Sequence, residues 1–151
     1  MANFFRLIIL LVTSGSAAEA QENVIPSAEE WFRATYAPLY QDKPWDRADE
    51  LAAYFAANVH LHDEGQSSVN SRAWIAGNLQ EWKVDGWIRS EIDKLEYDLL
   101  NDSTASFKVK WRDFYSGGNI AYECSWYLAD FNDGRWLITE FAIIDCADHG
   151  L

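Results

Sequence analysis

The fold depends on residues 119–146, which read NIAYECSWYLADFNDGRWLITEFAIIDC. Two runs rich in aromatic and β-branched residues flank Asp133-Gly134, a pair that accepts the positive φ angles of a type I′ turn. A hairpin closed at this pair aligns Trp126 with Phe141. The pattern therefore predicts two long antiparallel strands joined by a tight turn.

A second hairpin is predicted just before the first one. Residues 106–115 read SFKVKWRDFY and are followed by the turn-forming residues 116–119, SGGN. Closing this hairpin at the two glycines pairs Trp111 with Cys124, and the two registers then agree on one apolar face. That face comprises Val109, Trp111, Tyr122, Cys124, Trp126, Thr139, Phe141 and Ile143. The polar face comprises Lys108, Lys110, Arg112, Glu123, Ser125, Tyr127 and Glu140. A slip of one residue would exchange the two faces.

The composition is that of one globular domain with an aromatic interior. Of the 151 residues, 49% are apolar and 15% are aromatic, with eight tryptophans, which excludes a disordered chain. The formal net charge is -12. Nucleic acid and anionic membrane surfaces attract basic proteins, so an acidic chain of this kind is not expected to bind them.

The first 20 residues have the pattern of a signal peptide. Arg6 supplies the positive charge, Leu7 to Val12 the apolar core, and residues 18–20 (AEA) a small-x-small cleavage site. The apolar run is too short to span a membrane. We therefore expect export to the periplasm or the medium, a mature domain over residues 21–151, and no membrane insertion after cleavage.

The two cysteines leave the question of a disulfide open. An exported protein favours a bond between them. In the predicted register, however, Cys124 faces the apolar side and Cys146 alternates to the polar side, unless a bulge or a strand end intervenes. No cysteine or histidine spacing indicates a metal site or a redox motif, and no cofactor is predicted.

The rest of the chain reads as helices followed by strands. A capping box at Ser27 and Glu30 predicts a first helix that kinks or ends at Ala37, before Pro38. The remaining predicted elements are a helix over 47–56, a strand over 58–63, a helix from 70 or 71 to 82, and a strand over 87–100. In that last strand the apolar parity switches between Ile92 and Leu95, which predicts a bulge and a curved sheet. The order predicts an α+β fold: a curved antiparallel sheet wrapped around about three N-terminal helices, with a cone-shaped cavity.

Two segments resemble the nuclear transport factor 2-like superfamily: YFAANVHLHDEG before the third helix and SWYLADFNDGRWLI in the hairpin. Within that superfamily the chain is most similar to the SnoaL-like and ketosteroid-isomerase-like proteins. The resemblance covers nearly all of the predicted mature chain. It implies a helix-lined cavity with cofactor-free acid–base chemistry.

The resemblance also implies individual roles. Steroid isomerases of the superfamily place a general-base aspartate at the end of the first strand, where Asp63 stands here, and a tyrosine donor on the first helix, where Tyr36 stands. Their second donor is a carboxylic acid on the penultimate strand, and Trp126 occupies that place. His62 is a further candidate base or proton carrier beside Asp63.

Each candidate has a structural alternative. Asp63 can bind turn amides, and Tyr36 can be a core aromatic. His60 and His62 share a strand face, but no third metal ligand is evident. The derived register also aligns Asp113, Tyr122 and Asp145 at one end of the apolar face, either as a functional row or at the rim of the sheet.

The sequence thus predicts an aromatic-lined pocket for a small apolar or aromatic molecule. Its predicted lining residues are Trp31, Trp111, Asp113, Tyr122, Trp126 and Phe141. One interpretation is a cofactor-free isomerase, cyclase or hydrolase that uses Asp63 or His62 as its base. The alternative is a non-catalytic binding module, or an interaction module that forms a homodimer through the polar face of the sheet.

Overall fold

The computed structural model of the protein describes residues 27–62, 65 and 67–151. The predicted signal peptide and the candidate base Asp63 lie outside these residues.

The described residues form short helical segments, one longer helix and six strands. In chain order these are α1 (Ala28–Trp31), a π-helical turn (Phe32–Tyr36), a 3₁₀ turn (Ala37–Tyr40), a second 3₁₀ turn (Pro44–Arg47), α2 (Ala48–Ala52), β1 (Phe55–Leu61), β2 (Ser67–Asn70), α3 (Ser71–Val84), β3 (Trp87–Asn101), β4 (Thr104–Tyr115), β5 (Ile120–Asn132) and β6 (Arg135–Ile144). The strands make one curved, open sheet in the order β2-β1-β6-β5-β4-β3.

The predicted α+β cone is confirmed, with one difference in the sheet. β1 runs parallel to β6, whereas the other neighbouring strands of the described sheet are antiparallel. The sheet is therefore mixed. The short strand β2 was not predicted; it pairs with β1 and places Val69 opposite Val59.

The first helical region begins where the capping box predicts. The Ser27 side chain accepts a hydrogen bond from the backbone N–H of Glu30, which satisfies one of the unpaired donors at a helix start. The helix does not end before Pro38 but changes its winding, first to a π-helical turn and then to a 3₁₀ turn. The chain thereby accommodates a residue that has no N–H to donate.

The second helix is shorter than predicted, and the first strand begins earlier. α2 ends at Ala52, and β1 already starts at Phe55, which pairs with Ile138 of β6. The backbone N–H of Ile138 also donates to the carbonyl oxygen of Tyr54, at 2.8 Å. Pairing with β6 therefore outweighs the helical pattern of residues 53–56.

The bulge predicted in β3 is confirmed. The register between β3 and β4 shifts between Ile92 and Lys94, so that Ile92 faces Trp111 and Leu95 faces Val109. The extra residue restores the apolar side chains to the inner face after the shift. Sheet bending at such a point is the usual consequence of a bulge.

The β5–β6 hairpin follows the predicted register near its turn and leaves it further on. Asp133 and Gly134 both have positive φ angles, 50° and 80°, and Asn132 pairs with Arg135 as predicted. A further irregularity lies between Leu128 and Ala129, and beyond it Tyr127, not Trp126, pairs with Phe141.

The β4–β5 hairpin is one residue out of the predicted register. Phe114 pairs with Ile120, and the Tyr115 N–H donates to the Asn119 carbonyl oxygen, so the turn has three residues, 116–118, not two. The backbone N–H of Ser116 is held at 2.7 Å from the carbonyl oxygen of Gly86. This bond anchors the turn to the loop between α3 and β3.

The slip exchanges the two faces of β5, so the predicted orientation of that strand is wrong. The face of β5 that looks towards the helices carries Glu123, Ser125, Tyr127 and Ala129. Tyr122, Cys124 and Trp126 lie on the outer face. The predicted inner positions of Val109 and Trp111 on β4, and of Phe141 on β6, are confirmed by their burial.

A disulfide joins Cys124 to Cys146, with 5.3 Å between the Cα atoms. Both cysteines can meet because Cys124 is on the outer face and β6 ends at Ile144, two residues before Cys146. The residues that follow fold back: Lys94 Nζ donates to the Gly150 carbonyl oxygen at 2.9 Å. The segment from Asp145 to Leu151 is thus tied to the outer face of the sheet.

The core between the helices and the sheet is dominated by rings. Phe32 and Phe107 are stacked with their centroids 4.6 Å apart. Trp31 packs against Phe107 and Trp136. Aromatic contacts of this kind add to the stabilisation that comes from burying apolar area.

The disulfide should contribute measurably to stability. Replacing both residues, Cys124→Ala with Cys146→Ala, should lower the free energy of unfolding by about 3 kcal/mol, because the bond closes a loop across a sequence separation of 22 residues. Urea denaturation checks this. The double variant should no longer respond to a reductant, whereas reduction should destabilise the unmodified chain by a similar amount. Equal stability of the double variant and the unreduced, unmodified protein would contradict the prediction.

Candidate active site in the inner cleft

A cleft opens between α3, the early helical turns and the inner face of the sheet. Its walls are mostly aromatic and its polar groups are few. It is lined by Tyr40, Phe55, Trp74, Ile75, Asn78, Leu79, Trp82, Trp87, Ser90, Trp111, Asp113, Tyr115, Glu123, Ser125, Tyr127 and Phe141. A water-sized sphere can move its centre through about 50 Å³ of this space, several times what a single water needs. A ligand with a ring, for which a cavity of about 150 Å³ is known to suffice, would therefore extend from this space towards the mouth of the cleft.

Asp113 is the buried carboxyl group of the cleft. Its side chain is 8% exposed, and it pairs across the ladder with Ser90, whose hydroxyl donates to Oδ1 of Asp113. The indole N–H of Trp87 donates in turn to the Ser90 Oγ at 3.0 Å. Burial raises the pKa of Asp113 above its ordinary value, and the hydrogen bonds from Ser90 and Trp87 oppose that rise. The carboxyl group is therefore fixed in position, and its pKa lies above that of an exposed aspartate.

Glu123 is a second carboxylate of the same cleft. Trp111 pairs with Glu123 and Asp113 with Ala121, so the two acids are diagonal neighbours on one sheet face. Both act on Tyr115: its pKa is raised by burial first, and then by the negative charges of Asp113 and Glu123. The two carboxyl groups therefore lie on the same, cleft-facing side of the sheet.

Three phenols lie close to one another beside the cleft. The hydroxyl oxygens of Tyr36 and Tyr40 are 2.8 Å apart, and Tyr127 is buried beside them. Burial raises the pKa of each of these phenols well above its ordinary value. They stay protonated at neutral pH and can donate hydrogen bonds. Tyr40 and Tyr127 line the cleft. Tyr36 does not line it, but its hydroxyl is hydrogen-bonded to that of Tyr40.

The candidate base His62 lies on the other side of the sheet. It bonds to Glu140, and its ring packs edge-on against Trp126 at 5.4 Å between centroids. Both partners belong to the outer face, so His62 does not line the cleft. Asp63 is not among the described residues, and its role stays a prediction.

The predicted pocket residues separate into two groups. Trp111, Asp113 and Phe141 line the cleft. Trp31 is buried in the core away from it, and Tyr122 and Trp126 are on the outer face. Of the predicted row of Asp113, Tyr122 and Asp145, only Asp113 faces inward; Asp145 is exposed, and its Oδ1 accepts from the Ala147 N–H.

The polar residues of the cleft that the sequence did not identify are Tyr40, Asn78, Ser90, Tyr115, Glu123, Ser125 and Tyr127. The signal for Tyr40 was present, because Tyr36 and Tyr40 are four residues apart and share one side of a helical turn. The predicted register placed Glu123 and Ser125 on the polar face. The observed register, one residue away, places them in the cleft.

Neither a metal cluster nor a membrane-spanning helix is found within the described residues. No group of three His, Cys, Asp or Glu side chains there is arranged to hold a metal ion. No helix there is both long and apolar enough to cross a membrane.

Comparison with solved structures shows a nuclear transport factor 2-like fold. A nuclear transport factor 2-like protein of Novosphingobium aromaticivorans is 18% identical, with 78% of this chain and 82% of that chain covered and a TM-score of 0.55. The Aln2 protein of a Streptomyces species is 16% identical, with 83% and 97% covered and a TM-score of 0.57. A proposed polyketide cyclase of Xanthomonas campestris pv. campestris is 19% identical, with 76% and 87% covered and a TM-score of 0.51.

These likenesses establish the fold, and the predicted superfamily resemblance is confirmed at that level. No protein-family model matches the sequence, and no curated protein matches it.

Two tryptophans on opposite faces of the sheet should respond differently to truncation. Trp111 is 4% exposed and packs against Tyr40 at 5.3 Å between centroids, so Trp111→Ala should cost about 3–5 kcal/mol of stability. Trp126 is only partly buried, and Trp126→Ala should cost clearly less. Urea denaturation of both variants checks this. A larger loss in Trp126→Ala would mean that β5 has the opposite orientation.

Proposed function

We propose that the protein binds a small, flat and mainly apolar molecule in the inner cleft, and that Asp113 exchanges a proton with it. The observation that carries this proposal is a nine-tenths buried carboxyl group in the wall of an aromatic cleft. Concave apolar sites with a few fixed polar groups are the usual form of small-molecule sites.

The environment of Asp113 suits a general acid or base. Such a group works best when its pKa approaches the working pH, and burial moves the pKa of Asp113 in that direction. The hydroxyl of Ser90 holds the carboxyl group in one orientation. Tyr40 and Tyr127 add protonated phenols, which can donate to an oxygen that gains negative charge during proton transfer.

The reaction class is that of an isomerase or cyclase that needs no cofactor. The fold likeness to a proposed polyketide cyclase supports this class. Asp113 here takes the role that the sequence assigned to Asp63 or His62. The position of His62 beside Trp126 on the outer face argues against His62 as the base.

A binding or interaction module without catalysis is the second candidate. The observation that favours it is the apolar surface of the outer face, where Ile120 and Tyr122 are each 54% exposed. A second copy of the chain could cover this surface and form a homodimer, while the cleft holds a ligand without changing it.

Hydrogen–deuterium exchange can test the catalytic proposal. The protein in deuterated buffer should speed the loss of α-proton NMR signals from one or more of a panel of single-ring ketones. Asp113→Asn should slow that exchange by about 10²–10⁴-fold. Because only the ionised group can act as a base, the rate of the unmodified protein should rise with pH through the pKa of Asp113, which burial raises above its ordinary value.

The matched control is Asp98→Asn, which removes the same charge from an exposed position on β3. This variant should exchange like the unmodified protein. Saturable quenching of tryptophan fluorescence by the same ketones, without any exchange that depends on Asp113, would reject catalysis and leave the binding module.

We further propose that the mature protein acts outside the cytosol. The Cys124–Cys146 disulfide supports this, because such bonds persist mainly in oxidising compartments. In the native host, N-terminal sequencing of protein recovered from periplasm or medium should start near Gln21. Recovery of an intact Met1 chain from the cytosol would contradict export.

A further inference from the structure

We propose that Trp87 and Ser90 are positioning residues for Asp113, and that the hydrogen-bond chain from the Trp87 indole through Ser90 leaves Oδ2 of Asp113 as the oxygen that exchanges a proton. This inference rests on the proposed role of Asp113 and adds the groups that orient its carboxyl group. It is supported by the direction of the hydrogen bonds, by the burial of all three side chains and by a register shift that brings them to one face.

The hydrogen bonds of this chain have one direction. The indole nitrogen of Trp87 donates to the hydroxyl oxygen of Ser90 at 3.0 Å, and an indole N–H can only donate. The single hydroxyl proton of Ser90 is donated to Oδ1 of Asp113. Oδ1 is thus held as an acceptor, so the proton of the neutral acid belongs on the other oxygen. Proton exchange with a molecule in the cleft should therefore use Oδ2: the ionised oxygen takes up a proton from the ligand and later returns one.

A register shift at the start of β3 brings Trp87 and Ser90 to the same face of the sheet. Residues three apart on a regular strand point to opposite faces, because successive side chains alternate. Here Trp87 pairs with Tyr115 and Arg89 with Phe114, so β3 advances by two residues where β4 advances by one. This shift is separate from the bulge described above, and it leaves both Trp87 and Ser90 in the lining of the cleft. Irregularities of this kind commonly re-aim a side chain next to an active site.

Packing by rings from three helical elements holds the indole of Trp87 in place. The ring centroids of Tyr40, Trp45 and Trp82 lie 6.4, 6.3 and 5.3 Å from its own. Tyr40 and Trp45 belong to the two 3₁₀ turns and Trp82 belongs to α3. A donor fixed by its surroundings keeps its direction when the charge at the other end of the chain changes. The helices that pack on the sheet thereby orient the carboxyl group of Asp113.

The ionisation of Asp113 reports on this chain. Burial raises the pKa of Asp113, and the hydrogen bonds from Ser90 and Trp87 lower it because they favour the ionised form. The other titratable groups of the described lining are Tyr40 from a 3₁₀ turn, Tyr115 from β4, and Glu123 and Tyr127 from β5. Burial raises the pKa of each of these phenols, so they stay neutral while Asp113 titrates. Glu123 is the remaining carboxyl group, and its signal must be separated from that of Asp113.

Titration of the Asp113 carboxyl group tests the Ser90 link without any ligand. The NMR signal of the isotope-labelled aspartate carboxyl carbon can be followed against pH and assigned by its loss in Asp113→Asn. Labelling aspartate alone leaves Glu123 silent. In Ser90→Ala the pKa of Asp113 should rise, because the ionised form loses a donor. Ser90→Thr keeps a hydroxyl at this position and should restore the pKa of the unmodified protein.

Trp87→Phe tests the first link of the chain. The variant keeps a ring and loses the N–H, so the pKa of Asp113 should rise, by less than in Ser90→Ala because Ser90 still donates. The matched control is Trp45→Phe, which removes an indole N–H from a ring that packs beside Trp87 but does not line the cleft. This control should titrate like the unmodified protein. Circular dichroism of each variant verifies that it is folded.

Neutron diffraction tests the direction of the chain. In crystals grown in deuterated buffer below the pKa of Asp113, the deuteron of the neutral acid should lie on Oδ2, and that of the Ser90 hydroxyl should point to Oδ1. A deuteron on Oδ1 of Asp113 would overturn the assignment.

The outcomes distinguish this inference from the proposed function. An unchanged pKa of Asp113 in both Ser90→Ala and Trp87→Phe would overturn the chain, while ketone exchange that depends on Asp113 would still stand. An equal rise in Trp45→Phe and Trp87→Phe would assign the effect to ring packing and overturn the role of the indole N–H. The expected rises without any exchange of the ketones would support the chain and reject the catalytic role of Asp113.

Discussion

The three-residue turn at 116–118 is the constraint on which the inner cleft depends. Adjacent β-strand side chains alternate between faces, so the length of this turn decides which residues of β5 face inward. The bond from the Ser116 N–H to the Gly86 carbonyl oxygen anchors that turn to the start of β3. Glu123, Ser125 and Tyr127 face the helices as a result. The same parity carries Cys124 to the outer face, where Cys146 can reach it.

The sequence was sufficient for the features that rest on local chemistry. The Asp133-Gly134 turn was predicted because few residue pairs accept two positive φ angles in succession. The bulge in β3 was predicted because the apolar pattern itself changes parity there. The orientation of β5 could not be read in this way, since both of its faces are apolar: one carries Trp126 and the other Tyr127. Hydrophobicity alone cannot choose between them.

The candidate site likewise contains residues that the sequence identified and residues that it missed. Trp111 and Asp113 were identified because β4 alternates cleanly between outward basic and inward buried positions. Glu123 was missed because the predicted register, one residue away from the observed one, placed it on the polar face. Two carboxyl groups and several phenols in one interior are costly to bury, and each gains from a hydrogen bond or from water at the mouth of the cleft. Their placement in one cleft is a product of long-range pairing between strands.

The bulge in β3 has a second consequence, for the behaviour of the protein at high concentration. In the part of the chain that the structure describes, β3 pairs with β4 only and forms one edge of the sheet. A long flat edge with exposed apolar side chains is a template for pairing with another molecule, and Leu99 and Leu100 are each 58% exposed. The bulge twists this edge, and charged residues follow it at Asp93, Lys94, Glu96 and Asp98. The irregular pairing that curves the sheet around the cleft thus also protects the free edge against aggregation.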